Sequence, residues 1–382
     1  MTMYELPEIG LNPSTIFEMA TGFWISKVLM CAVELELFTK LAGKSLTINQ
    51  IQKVLGIQRR QARAFISALS ALDLLKCDRF KQNRKSQFFS NSVLADTFLV
   101  RGKPLYMGDF IFMYDKLLFK KWDELLAILK PKNRNVRPIQ RIGPSSLTEK
   151  IPRKSLDELY EQAMHNEIDR MNDGAEKEMN LFVRAMYGEK IWDATVLCKI
   201  YDFSQHRKLI DLGGGPAVFP IQIVMNFPDM LALVIDTKPV CRIANEYIER
   251  FNLQSRIKTM ALDFTKEDLP KGYDVILISH IIGGINKDKC MSLLKKAYDS
   301  LPESGEGTII INEWLLNDDM TGPSLSALMG LNMVVETNEG KAYSFAEIYK
   351  MLSKTGFNRI EKRHIAGSPG HIVIGHKESK KE

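Results

Sequence analysis

The residues best suited to chemistry lie in the second half of the chain. The run Leu209-Ile210-Asp211-Leu212-Gly213-Gly214-Gly215-Pro216-Ala217 carries an apolar stretch straight into three glycines. Glycines at a strand-to-helix turn let the backbone approach a ligand closely and present helix N-terminal N–H groups to it. The last glycine of a GxGxxG pattern is absent and no GKS or GKT follows, so a nucleoside triphosphate loop is unsupported. Asp236 closes the next apolar run, about twenty residues beyond the glycines, where a carboxylate can accept hydrogen bonds from ribose hydroxyls. Asp263 and Phe264 end the run after that, offering an acceptor for an exocyclic amine beside a ring that can border adenine. Ser279 and His280 end the next, and Glu313 the one following. Asp236 or Asp263 alone could as readily be a loop cap. In succession, at the carboxyl ends of strands, these residues predict a nucleoside-cofactor site.

The elements that must position them follow from periodicity. From Lys208 onward, KLIDLGG, LALVID, IKTMALDF, YDVILIS and GTIIINEWLL read as strands alternating with helices, which argues for a mainly parallel sheet covered on both faces. A helix from about Ser344 to Thr355 leads into RIEKRHIAGS and GHIVIGHK, an antiparallel pair at the sheet edge. The first hundred residues are mostly helical. Between Pro13 and Leu41, Ile16, Phe17, Met19, Ala20, Phe23, Trp24, Val28, Leu29, Ala32 and Val33 recur at helical spacing. They cover more surface than one monomer face needs, so either a partner chain or intramolecular packing must bury the excess. Ser45 or Thr47 then caps a short helix carrying Ile48, Ile51 and Val54. Gly56 turns the chain into a second helix with Ala62, Phe65, Ile66, Leu69 and Leu72, and Leu74 to Phe89 suits a two-stranded wing. This winged helix reads equally as a DNA-binding module, with Arg59, Arg60 and Arg63 toward phosphates, or as a packing module with those arginines solvated.

Composition narrows the classes. The 382 residues are 45% hydrophobic and 26% charged, which excludes disordered, collagen-like and fibrous chains. No stretch has the ~18 consecutive apolar residues of a membrane span. Phe23 to Phe38 is interrupted by Lys27, Glu34 and Glu36 and lacks the flanks of a signal peptide, so a cytosolic protein is expected. Cys31, Cys77, Cys198, Cys241 and Cys290 are dispersed, odd in number and without a CxxC pair, which argues for reduced thiols and no structural zinc. The net charge of +6 is modest, and residues 130–154, with eight Lys/Arg against Glu149, read as a solvated basic loop.

Taken together, these motifs resemble the S-adenosylmethionine-dependent small-molecule O-methyltransferases, the family of plant phenolic, acetylserotonin, and bacterial polyketide and pigment enzymes. The resemblance spans nearly the whole chain. SLTINQIQKVLGIQRRQARAFISALSALDLL followed by FSNSVLADTFLVRG is similar to the family's winged-helix dimerisation domain. YEQAMHNE is similar to its substrate-pocket helix. LIDLGGGPA, VIDTKPV, LDFTKEDLPKGYDVILISHII and GTIIINEWLL match its cofactor and catalytic segments in order.

The resemblance implies an α/β Rossmann-like methyltransferase domain over 201–382, a helical connector over 106–200 and a mainly α dimerisation domain over 1–105. It implies a homodimer without nucleic acid, and a winged helix related to DNA-binding domains only in architecture. S-adenosyl-L-methionine would be held by Asp211, Gly213, Gly214, Gly215, Asp236, Asp263, Phe264 and Ser279. The acceptor pocket would be walled by Met164, His165, Trp314, Met329, Asn332 and Met333.

One departure stands out. The family's usual His-Asp-Trp falls on Gly283, Gly284 and Ile285, and glycine accepts no proton. Of the two flanking acids, Glu313 remains while Ala342 takes the place of the other. A phenol of pKa ~10 is mostly protonated at neutral pH, and a general base commonly contributes ~10²–10⁴-fold. Alignment alone can contribute ~7–11 kcal/mol. Three routes therefore stay open: transfer to oxygen, nitrogen or carbon driven by proximity; O-methylation with a displaced base (His165, His280 or Tyr343); or a non-methylating role. A cofactor-sensing DNA-binding regulator is the alternative of another class.

Overall fold

The computed structural model describes residues 13–79, 87–130, 173–303 and 307–378. The chain divides into two compact units, one ending at Lys116 and the other beginning at Leu117.

In the first unit the expected single helix from Pro13 to Leu41 is two. Helix α1 (Ser14–Glu34) ends where Glu36 adopts a left-handed conformation (φ 54°), and α2 (Leu37–Leu41) resumes beyond it. The kink turns Leu37, Phe38 and Leu41 fully into the core. A two-residue strand β1 (Leu46–Thr47) precedes α3 (Ile48–Leu55), which starts at a reciprocal cap. The Thr47 side chain accepts from the Gln50 N–H, and Gln50 accepts from the Thr47 N–H. Gly56, at φ 67°, supplies the left-handed C-cap, and α4 (Arg59–Ala71) follows. Ile51 and Leu55 are buried, whereas Val54, expected in the core, is 43% exposed because it lies on the other side of α3. Strands β2 (Leu75–Arg79) and β3 (Gln87–Asn91) form the wing, and β1 pairs with β3. Arg59, Arg60 and Arg63 are exposed. Helices α5 (Val93–Phe98) and α6 (Gly108–Met113) complete the unit, α6 packing against α1.

The N-terminal half of α1 is apolar and exposed. By length and average composition α1 is apolar enough to cross a membrane, although Glu18, Thr21, Ser26 and Lys27 break any continuous run. Ile16, Phe17, Met19, Phe23, Trp24 and Ile25 are each more than half exposed.

The second unit opens with two short helices, α7 (Phe119–Trp122) and α8 (Leu125–Leu129). The long α9 (Asp173–Ile200) then leads into alternating elements: β4 (Lys208–Leu212), α10 (Val218–Asn226), β5 (Leu231–Asp236), α11 (Lys238–Arg250), β6 (Ile257–Ala261), β7 (Val275–Ser279), α12 (Lys287–Ser300) and β8 (Gly307–Glu313). Helices α13 (Ser324–Glu336) and α14 (Phe345–Thr355) precede β9 (Asn358–His364) and β10 (His371–Lys377). The sheet order is β6-β5-β4-β7-β8-β10-β9, parallel from β6 to β8. β10 runs antiparallel to both β8 and β9, as the closely spaced last two strands predict. Every residue of β8 is buried, the signature of a strand covered on both faces. Strand order reverses between β4 and β7, the chain building outward through β5 and β6 on one side and through β8 on the other, so the crevice beyond their carboxyl ends is where such sheets bind ligands.

Candidate active site

The glycine turn is shaped by what surrounds it. A side chain on Gly213 (φ 65°) would place its Cβ 2.3 Å from the Ile281 Cδ1 and 3.8 Å from the edge of the Phe264 ring. At Gly214 the Cβ would meet the Asp211 carboxylate at 2.6 Å and Val234 at 2.9 Å. Gly215 (φ 53°) donates its N–H to Asp236 Oδ2 at 3.0 Å, and Thr237 N–H donates to the other Asp236 oxygen at 2.7 Å. The turn is thus tied to the end of β5, with Asp211, Asp236 and Phe264 on its flanks.

These acids are unusual. Asp211 and Asp236 are each 1% exposed. Both Asp211 oxygens lack a partner, and burial followed by the neighbouring Asp236 charge pushes its carboxyl well above the usual range. Burial raises Asp236 to about 6, while the two N–H groups draw it back. Asp263 differs. Burial pushes it up, but hydrogen bonds from Thr265 and Lys266 outweigh this and leave it below its ordinary value. Ser279 accepts from Asn312 Nδ2 at 3.2 Å.

A second cluster surrounds Gly283, which lies in the turn Ile282–Gly284 after β7. Its N–H donates to Glu313 Oε1 at 3.1 Å, and its carbonyl accepts from Lys341 N–H at 2.9 Å. Its φ lies outside the left-handed region, and an added Cβ would sit 3.4 Å from Glu313 Oε2 and from the Lys341 carbonyl. The backbone therefore does not demand glycine here, and a side chain would point at the Glu313 carboxylate. Burial raises Glu313 to about 7, partly countered by the Gly283 N–H, the Lys190 ammonium and the Ile282 N–H.

His280 Nδ1 lies 3.5 Å from Glu313 Oε2, and its Nε2 is buried without a partner. The residue is left-handed (φ 53°), a strained backbone for a non-glycine. Burial, then Lys190, holds the ring well below its ordinary pKa, so it is a neutral imidazole and not half of an ion pair. Tyr343, another displaced-base candidate, hydrogen-bonds the Ile285 carbonyl at 3.3 Å. Burial pushes its phenol far above the range in which it could accept a proton near neutrality.

Of the wall candidates, Trp314 stands edge-on to His280 with ring centres 6.0 Å apart. Met329, Asn332 and Met333 lie on α13, which packs against the Gly283 turn. Asn332 is 8% exposed and its carbonyl accepts from Trp122 Nε1 at 2.9 Å, so Trp122 fixes its amide. Met164, His165 and most of the basic segment 130–154 fall outside the described residues.

Comparison with known proteins identifies the scaffold. An O-methyltransferase domain matches residues 145–358, and an O-methyltransferase dimerisation domain matches residues 17–101. The chain belongs to the O-methyltransferase family. It is similar to 3-hydroxy-5-methyl-1-naphthoate 3-O-methyltransferase of Streptomyces sahachiroi, 27% identical over 95% of this chain and 94% of that one. It is also similar to acetylserotonin O-methyltransferase of Bos taurus, 28% identical over 94% of this chain and 96% of that one. The fold matches human N-acetylserotonin methyltransferase solved with S-adenosylmethionine (TM-score 0.77, 22% identity, 98% of this chain and 100% of that one). PigF with S-adenosylhomocysteine superposes at a TM-score of 0.73, with 23% identity over 96% of this chain and 100% of that one. This methyltransferase is an S-adenosylmethionine-dependent enzyme of small-molecule O-methylation.

The methyltransferase site contains residues that sequence motifs did not flag. Lys190 sits on α9, far in sequence from every motif, yet its ammonium lies 5.7 Å from the centre of the Trp314 ring. Trp122 reaches the site by the same route, through its hydrogen bond to Asn332. The only local signal was the unbroken helical pattern around Lys190, which does not say which face meets the sheet.

Proposed function

We propose that this O-methyltransferase transfers a methyl group to a small aromatic acceptor without an imidazole at position 283. Alignment then supplies most of the rate, and the carboxylate of Glu313 takes up the acceptor's proton. The observation that carries this reading is the Gly283 geometry: a Cβ added there would stand 3.4 Å from Glu313 Oε2, so position 283 borders that carboxylate directly. A carboxylate held at about 7 by burial is close to the optimum for a general base at neutral pH. His280, whose Nδ1 lies 3.5 Å from Glu313 Oε2, borders the same carboxylate as a neutral ring.

S-adenosylmethionine supplies an activated sulfonium methyl. The residues fit it: the glycine turn leaves its backbone bare, and the unpartnered Asp211 oxygens suit a cationic ligand. Asp211, Gly213, Gly214, Gly215, Asp236, Asp263, Phe264 and Ser279 would hold it, with Asp236 toward the ribose and Phe264 toward adenine. Trp314, Met329, Asn332 and Met333 would wall the acceptor. The named acceptors of the relatives, a hydroxynaphthoate and acetylserotonin, are aromatic, which supports that substrate class. The exposed apolar face of α1 lies largely within the matched dimerisation domain, which supports a homodimer that covers it.

Gly283→His tests the mechanism. Single-turnover methylation of 2-naphthol is expected to rise at least about ten-fold when an imidazole base is restored. No rise in a folded variant that still binds S-adenosylhomocysteine, together with an unchanged rate in Glu313→Gln, would show that neither position governs proton removal, and the reading would fall.

A further inference from the structure

We infer that Lys190 anchors an anionic oxygen of the methyl acceptor, so that the acceptor is an aromatic hydroxy acid or another acidified aromatic rather than a neutral phenol. This rests on the reading of Glu313, Gly283 and Trp314 as the acceptor site, and it names the chemistry of what enters there.

The Lys190 side chain is 11% exposed, and its ammonium pairs with the adjacent Glu189 at 2.8 Å. An ammonium has three donors, and Glu189 takes one of them. Taking a charge out of water is costly unless it is paired and hydrogen-bonded. A helix that needed only to pack here could have used an apolar side chain.

The position of the ammonium is specific. It stands 5.7 Å from the centre of the Trp314 ring, on the residue that follows Glu313 at the end of β8. It acts electrostatically on both Glu313 and His280, lowering the proton affinity of each. The charged and titratable groups around this point are Lys190, Glu189 and, one turn further on, the buried Asp193 from α9, His280 after β7, Glu313 from β8, and His371, its register partner on β10. Burial lowers the proton affinity of His280 and His371 and raises that of Glu313, which leaves Lys190 as the cation among them. A ring stacked near Trp314 with an anionic substituent would meet an aromatic wall and a positive charge together. The same charge would lower the pKa of an acceptor hydroxyl, which suits a site with glycine at position 283.

The test uses the full-length protein saturated with S-adenosylhomocysteine and three probes: 2-naphthol, 3-hydroxy-2-naphthoate and 6-hydroxy-2-naphthoate. The two acids place the carboxylate beside the hydroxyl or across the ring system. Calorimetric titration is expected to show at least one acid binding about ten-fold or more tightly than 2-naphthol, equivalent to ~1.4 kcal/mol. Lys190→Met should bring that preference to within about two-fold, and Lys190→Arg should retain it. Equal or absent binding of all three probes to the wild type overturns the proposal. So does a preference that survives Lys190→Met, since Lys190 would then serve only its pair with Glu189. If Lys190→Met weakens S-adenosylhomocysteine while the acceptor preference stands, the ammonium belongs to the cofactor's carboxylate and the proposal also fails. Should Lys190→Met not fold, loss of the preference in Lys190→Arg would overturn it. Failure of the Gly283→His test above leaves these outcomes readable, because they measure binding and not proton transfer.

Discussion

Glu313 concentrates the site's chemistry in one carboxyl group. A carboxylate at the end of an interior strand, with the Gly283 and Ile282 N–H groups and Lys190 nearby, is held by burial at about 7 instead of 4.5. If it takes the acceptor's proton, the wild-type rate should rise with pH through about 7 and then level. Glu313→Gln should remove that limb and lower single-turnover rates by about 10²-fold, read from pH–rate profiles. The same shift appears in stability. The folded chain keeps this proton to a higher pH than the unfolded chain, so the stabilisation is complete below about pH 4.5 and is lost as pH rises through about 7. Urea titrations across that window should show the wild type losing roughly 1–3 kcal/mol relative to Glu313→Gln. Gly214 answers to a different constraint. Its Cβ would lie 2.6 Å from the Asp211 carboxylate. Gly214→Ala should therefore weaken S-adenosylhomocysteine binding at least about ten-fold, measured by calorimetry, and cost ~1–3 kcal/mol of stability. The type of each of these residues was legible in the sequence. The proton affinity of Glu313 was not, because it is set by burial and by Lys190, more than a hundred residues away.

Elements were legible where local chemistry fixes their ends. Thr47 with Gln50 and Ser344 with Glu347 both form reciprocal caps, and the sequence pattern S/T-x-x-E/Q announces them. Ser344→Ala should cost ~1 kcal/mol, seen as a lower denaturant midpoint with an unchanged slope. The cap matters beyond α14, because Lys341, three residues before it, hydrogen-bonds the Gly283 carbonyl. A small drop in turnover should accompany the loss of stability. The break between α1 and α2 was not legible. Glu36 is not a residue that signals a left-handed turn, and its φ of 54° is selected by the packing of Leu37, Phe38 and Leu41 behind it. Val54 shows the same limit, since an apolar residue at roughly helical spacing was still rotated onto the exposed side of α3.

At the scale of the whole molecule, the apolar face of α1 that the other described residues leave uncovered is the one we propose a second copy buries. Phe17, Phe23 and Trp24 are 64%, 55% and 60% exposed, a patch that water disfavours and that lies within the matched dimerisation domain. Sedimentation should find the wild type as a dimer, and Phe17→Glu with Trp24→Glu should shift it toward monomer. A wild type that sediments as a monomer at micromolar concentration would remove the dimer from this reading. The alternation of strands and helices, the glycine turn and the polar residues at the strand ends were all determined by the sequence alone. They depend on short-range patterns: alternation of strand and helix, a turn built from glycines, and a polar side chain, usually a carboxylate, where each apolar run stops. The tertiary structure decided what those acids became. It buried Asp211 without a partner, brought Glu313 to the space beside Gly283, and delivered Lys190 from a distant helix to Trp314. Proton affinity and ligand charge depend on what surrounds a group in space, and a one-dimensional pattern does not carry that information.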